Sequence, residues 1–240
     1  MRGSLIVRAS VALGAFVVTL GLTHAEGVQL AFWDFNTEST AANGGVYAAS
    51  SSLELVGGTT ATFATGSPLD TAPTNRAYNT TTYPAQGTNN LTAGILFRVP
   101  TTGYTNITVR FDVRWSNTAS KYLRFQYTTD GTTWINGPQL VAPGGDTWWS
   151  SQGGDRFFVD LSSDSRVNDN SNFAFRILAE FAPGENNYHG ARDGNAAGYR
   201  TTGTLRYDLV EVQGVPEPAS MLALSVGLAG LVGLRRRAKK

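Results

Sequence analysis

From Ile107 to Trp115 every second residue is apolar: Ile107, Val109, Phe111, Val113 and Trp115 alternate with Thr108, Arg110, Asp112 and Arg114. A period of two puts the two sets on opposite faces of an extended strand, so this segment needs a sheet with one packed face and one wet face. Tyr122 to Tyr127 repeats the pattern, with Leu123, Phe125 and Tyr127 on one face, and Asp130-Gly131 follows with hairpin-turn chemistry. No segment between residues 28 and 213 sustains a helical period. Short β-branched and aromatic runs bounded by Gly, Asn, Asp and Thr predict strands at Gln29–Phe35, Ala61–Ala64, Leu91–Val99, Ile107–Trp115, Tyr122–Thr128, Phe157–Leu161, Phe173–Phe181 and Thr204–Val212. Trp33, Trp115 and Trp134 lie in strand-like contexts and are assigned to the core or its edge. The fold class is all-β, a sandwich or jelly roll rather than a closed barrel.

Charge and cysteine content remove several functions. Between residues 26 and 218 there are 12 basic against 18 acidic side chains, a net of −6, and a single lysine, Lys121. Clustered Lys and Arg are what nucleic-acid binding requires, so no nucleic-acid partner is expected. Without cysteine the chain has no thiol nucleophile, no Cys-ligated metal and no disulfide, and His24 and His189 are its two imidazoles. The middle of the chain is long enough for one packed domain and short for two.

The two ends read as address labels. Arg2 and Arg8 precede an apolar stretch from Val11 to Leu22, too short to span a bilayer, and Thr23 and Ala25 offer the small residues of a cleavage site. Residues 1–25 are therefore expected to be a secretory signal peptide, with an uncleaved anchor as the alternative. At the other end Pro216, Glu217 and Pro218 precede an uncharged apolar run, residues 219–234, and then Arg235, Arg236, Arg237, Lys239 and Lys240. As a helix the run would be roughly 24 Å long at 1.5 Å per residue, workable as a single transmembrane helix in a thinned bilayer. The basic tail, residues 235–240, would then stay cytoplasmic and the domain outside. The prolines flanking Glu217 remove two backbone donors and keep the segment extended, as a processing enzyme needs.

This order of Pro-Glu-Pro, apolar helix and arginine cluster resembles the PEP-CTERM sorting signal of bacterial exported proteins. The resemblance implies processing by an exosortase in the inner membrane and delivery to the cell surface or extracellular matrix, usually alongside exopolysaccharide. A plain C-terminal anchor is the alternative. Phe111 to Trp134 and Leu205 to Gly214 (LRYDLVEVQG) resemble the middle and the closing strand of galactose-binding-like jelly-roll domains. That closing strand usually carries Asp-Asn-Val; here Asp208 is kept and Leu209 replaces the Asn. The resemblance implies that the opening strand, Phe32 to Asn36, pairs near the last strand. The expected organisation is a signal peptide over 1–25, a β-sandwich over 26–214 and a sorting segment over 215–240.

Candidate sites follow from residue chemistry. The connection from Pro183 to Tyr199 gathers Glu185, Tyr188, His189, Arg192 and Asp193, groups that could hydrogen-bond sugar hydroxyls while the tyrosine ring stacks on a pyranose. Trp148 and Trp149 are adjacent, and on a strand one would be buried and the other exposed as a stacking platform. Oxygen donors are plentiful, so a structural calcium is considered, either in the acidic loop of Asp164, Asp169 and Asn170 or at Asp34 and Asp208 on the terminal strands. Glu180, Glu185, Asp193, Asp208 and Glu211 sit in no glycosidase motif, and no Gly-x-Ser-x-Gly elbow is present. The reading is a non-catalytic binding or structural module associated with exopolysaccharide or a biofilm matrix. A secreted carbohydrate-active hydrolase and a protein–protein adhesion module are the alternatives.

Overall fold

A computed structural model describes residues 27–217 as two antiparallel β-sheets packed face to face. The strands are β1 (Val28–Trp33), β2 (Ser52–Val56), β3 (Thr60–Thr65), β4 (Arg76–Thr81), β5 (Gly94–Arg98), β6 (Tyr104–Trp115), β7 (Tyr122–Thr128), β8 (Ile135–Val141), β9 (Thr147–Trp148), β10 (Phe157–Asp160), β11 (Ala174–Glu180) and β12 (Leu205–Pro216). The larger sheet has the order β10-β6-β12-β4-β3, with β1 also on β12 and β9 also on β6; the smaller sheet has the order β2-β5-β11-β7-β8. The all-β sandwich expected from alternation is the observed fold. The 1–25 leader and the 219–234 helix lie outside the described residues, and among those described no helix is long and apolar enough to cross a membrane.

Alternation builds the core. Ile107, Val109, Phe111, Val113 and Trp115 all point inward from β6 and are fully buried. From the smaller sheet Phe97, Phe175 and Phe125 form a stack across β5, β11 and β7, with ring centroids 4.9 and 5.5 Å apart. Trp33 meets Phe97 edge-on at 5.0 Å, joining the two sheets. Offset and edge-on rings at these spacings add to the stabilisation from area burial. Trp33 and Trp115 are core residues as expected, whereas Trp134 is half-buried outside the core cluster.

β1 pairs with β12, so the opening and closing strands meet as the jelly-roll resemblance implied. One edge of β12 is shared: Leu205 to Tyr207 face β4, and Val210 to Gly214 face β1. The handover falls at a bulge between Asp208 and Glu211, where Leu209 takes φ +48°. A branched side chain is strained in that left-handed region, whereas Asn tolerates it, which gives the Asn of the usual Asp-Asn-Val pattern a conformational reason. Arg156 braces the bulge by donating to the Leu209 carbonyl at 2.9 Å and to Glu211 at 2.7 Å.

Sequence patterning did not reveal β2, β4, β8 or β9. β8 contains Gly137 and Pro138, which argue against a strand, but it lies at a sheet edge where proline's missing donor is harmless. Leu91 to Ala93 lie outside β5, because Leu91 adopts φ +58° and the strand begins at Gly94. Leu209→Asn is expected to raise the unfolding free energy by up to about 1 kcal/mol by relieving the left-handed strain. Urea denaturation of both chains checks this, and a lower midpoint for the variant would contradict it.

Candidate functional site

Several residues selected from the sequence are structural. Tyr188 is fully buried, stacked on Tyr199 at 4.8 Å and meeting Phe181 edge-on at 4.6 Å. Its hydroxyl donates to the carbonyls of Thr88 and Asn89, and burial pushes the phenol up to about 12. Gln86 grips both the N–H and the carbonyl of the same residue. The expected sugar-stacking role of Tyr188 is therefore corrected: no face of its ring is free, and the 183–199 connection is pinned by its own aromatic pair. His189 is half-buried, 2.9 Å from Glu185, and Arg192 and Asp193 are exposed on the same connection.

Trp148 and Trp149 do not share a strand. Trp148 ends the two-residue β9 opposite Arg114, and Trp149 starts a 3-10 turn and packs edge-on against Phe157 at 4.8 Å. Both are half-buried, so the expectation of one buried and one exposed ring is corrected. The strand ends between them, and the alternation rule stops applying.

The calcium expectation also shifts. Asp34 accepts the Asn36 N–H, whereas the carboxylates acting on Asp208 are Asp70 and Asp112. In the acidic loop Asp164 is taken by Arg166 and the Tyr127 hydroxyl, Asp169 by the Gly103 N–H, and the Asn170 side-chain Oδ1 by the Asn172 N–H. Among the described residues no group of three or more His, Asp or Glu side chains is placed to hold a metal.

Asp208 and Asp112 instead form a buried acid pair directly opposite each other in β12 and β6. Ser67 bridges them, its N–H donating to Asp208 at 2.6 Å and its hydroxyl to Asp112 at 2.5 Å. Ser150 adds its own N–H and hydroxyl to Asp112 at 3.1 and 2.6 Å. The Asn75 amide nitrogen is fixed on the carbonyls of Ser67 and Asp70, which leaves its Oδ1 buried without a partner. A side chain at Gly66 would collide with both this oxygen and Asp208 Oδ2, so the two acceptors converge. Asp34, bonded to Asn43 and Asn36, makes no hydrogen bond to this cluster.

Burial pushes Asp208 up to about 8, against the N–H groups of Ser67 and Leu209 that favour its charged form; Asp70 and Asp112 push in the same direction as burial. At neutral pH it is therefore protonated in the fold and ionised in the unfolded chain. The folded chain holds a proton that the unfolded chain releases above about pH 4, so this group's stabilisation is complete below that pH and is lost as pH rises through about 8.

The outer face of the smaller sheet presents a different chemistry. Arg124, Gln126, Arg176 and Glu180 point away from the core, alternating with inward Leu123, Phe125, Phe175 and Ile177. Trp134, just before β8, is half-buried on this face, with the Arg176 guanidinium over its ring, 4.0 Å from the centroid. Arg176 donates to Gln126 at 2.7 Å, and Gln126 donates to Asn136 at 2.6 Å. Arg124 grips Glu180 through two nitrogens, and Gln139 adds a third donor at 2.7 Å. Glu180 is thus committed to a side-chain lattice. The sheet carries an aromatic plate beside a row of rigidly oriented amide and guanidinium groups.

β12 runs on to Pro216, opposite Tyr104, and the Glu217 N–H donates to the Gly103 carbonyl at 2.9 Å. Pro218, Arg235, Arg236 and Arg237 lie outside the described residues. Residues 214–237 match the PEP-CTERM protein-sorting motif, the mark of an exported substrate of an exosortase. No curated protein matches the chain. Among solved structures, it is similar to the tandem CBM22 domains of Xyn10C from Paenibacillus barcinonensis, with 11% identity and TM-score 0.46 over 78% of this chain and 50% of that one. It is also similar to the family 11 carbohydrate-binding module from Clostridium thermocellum in complex with a mixed-linked tetrasaccharide, with 12% identity and TM-score 0.36 over 80% and 99%. An arabinose-bound α-L-arabinofuranosidase shares 10% identity and TM-score 0.41 over 77% of this chain and 26% of its own. The chain thus spans half the length of the first and about a quarter of the last.

The wild-type chain is expected to lose stability from pH 5 to pH 9, on the order of 4 kcal/mol from Asp208 alone. Asp208→Asn should flatten that slope in urea titrations, and an unchanged slope would remove the buried proton from the account.

Proposed function

We propose that the protein is a non-catalytic carbohydrate-binding component of the extracellular polysaccharide matrix. An exosortase recognises Pro216, Glu217 and Pro218 while Arg235, Arg236 and Arg237 hold the tail on the cytoplasmic side. The division into a leader (1–25), a sandwich (26–214) and a sorting segment (215–240) follows from the same reading. The observation that carries carbohydrate binding is Trp134 laid on Arg176 beside the Gln126–Asn136 pair. A flat indole offers apolar area to the C–H face of a sugar ring, and amides and guanidinium groups beside it meet hydroxyls as both donors and acceptors.

Rigidity favours binding over chemistry at this face. Arg124, Glu180 and Gln139 hold one another, so little side-chain freedom is lost when a saccharide arrives. Trp134→Ala is expected to weaken retardation in gels containing the neutral exopolysaccharide of the producing cells by about tenfold, the loss of one stacking ring. Trp148→Ala should leave the retardation unchanged. Retention of full binding by Trp134→Ala would overturn the reading.

A further inference from the structure

The outer face of the larger sheet is covered over only part of its length. Around Asp112 and Asp208 the Ser67 segment and the Ser150 turn close it, but farther along the same strands it opens into a groove of about 450 Å³. The groove lies between Thr108 and Arg110 of β6, Phe158 and Asp160 of β10, and Gln213 of β12. Phe158 is 46% exposed, so its ring is open to the groove. The Arg110 guanidinium lies 4.9 Å from its ring centroid.

Arg110 makes no side-chain hydrogen bond or ion pair within the described residues, and its Nε is buried without an acceptor. The Nε itself is shielded from the groove, but the two terminal guanidinium nitrogens are neither buried nor hydrogen-bonded and stay free to donate to a ligand oxygen. The charges lining the groove are one guanidinium and one carboxylate, the latter held by the Ser162 N–H at 2.8 Å, so the groove is neutral overall. A neutral ligand that accepts from Arg110, donates to Asp160 and Gln213, and lays an apolar face on Phe158 is a polyhydroxylated ring.

We infer that this groove is a second saccharide-binding site, for a neutral glycan strand, on the side of the sandwich opposite Trp134. It stands on its own lining and does not need the Trp134 face to bind.

The test reads both faces at once. The ¹⁵N-labelled full chain in detergent is titrated with neutral oligosaccharides released from the exopolysaccharide of the producing cells. The Arg110 Nε–Hε and Trp134 indole N–H resonances are followed. The inference predicts a saturable shift of Arg110 Nε–Hε that weakens tenfold or more in Phe158→Ala, an exposed position whose loss spares the core, while any Trp134 response persists. A stationary Arg110 resonance while sugar binds elsewhere would overturn the second site, as would an Arg110 shift that Phe158→Ala leaves intact. An Arg110 response with a silent Trp134 would uphold the groove and overturn the Trp134 face, and silence at both would overturn the two readings together.

Discussion

Asp112 and Asp208 stand opposite each other in β6 and β12, at the row where both strands exchange their outer neighbours. β12 passes from β4 to β1 there, and β6 passes from β9 to β10. A sheet that changes partners on both edges at one level leaves backbone and side-chain groups without ladder partners, and buried polar groups must be met. Ser67 and Ser150, from outside the two strands, supply those partners. The proton on Asp208 and the bulge at Leu209 belong to the same junction, so the closure of the sandwich rests on one small polar cluster.

This junction also decides what the outer surface offers. Where the acid pair sits, the segments carrying Ser67 and Ser150 must lie over the sheet, and only beyond them is the face open at Arg110 and Phe158. The smaller sheet has no such junction, and its strands keep the same partners along their length. Its outer face is free to carry a continuous lattice of Arg124, Gln126, Arg176 and Glu180 under Trp134. Long connections, by contrast, are occupied in bracing: Tyr188, Tyr199 and Gln86 tie down the 183–199 segment that composition makes look like a binding loop.

Much of the fold was legible because alternation is a local property. β6 and β7 follow from their apolar periods, β11 from its aromatic and β-branched run, and the pairing of β1 with β12 from the jelly-roll resemblance. β8 was hidden because its edge position excuses Gly137 and Pro138, and edge position is set by tertiary structure. The sorting motif was readable in full, since its parts lie side by side in the chain. The candidate sites were much less legible. Trp134 reads as a strand residue in sequence, and what makes it a surface plate is Arg176, 42 positions away and brought beneath it by the β11–β7–β8 pairing. Tyr188 looked exposed because Pro, Gly and Asn surround it, while the rings that bury it lie at the margins of that polar run, Phe181 just before it and Tyr199 at its last position. The partner of Asp208 was misplaced for a related reason: Asp34 is near the paired termini in sequence logic, but Asn75 and Asp112 arrive from other strands and turns.

The central claim is that recognition belongs to the outer sheet faces and not to the loops. A crystal structure with a neutral oligosaccharide from the producing cells' exopolysaccharide tests it most directly. The account predicts a sugar ring lying on the Trp134 indole, with its hydroxyls on Gln126, Asn136 or Arg176. Sugar density confined to Trp148 and Trp149, or to the connection carrying His189, Arg192 and Asp193, would contradict it.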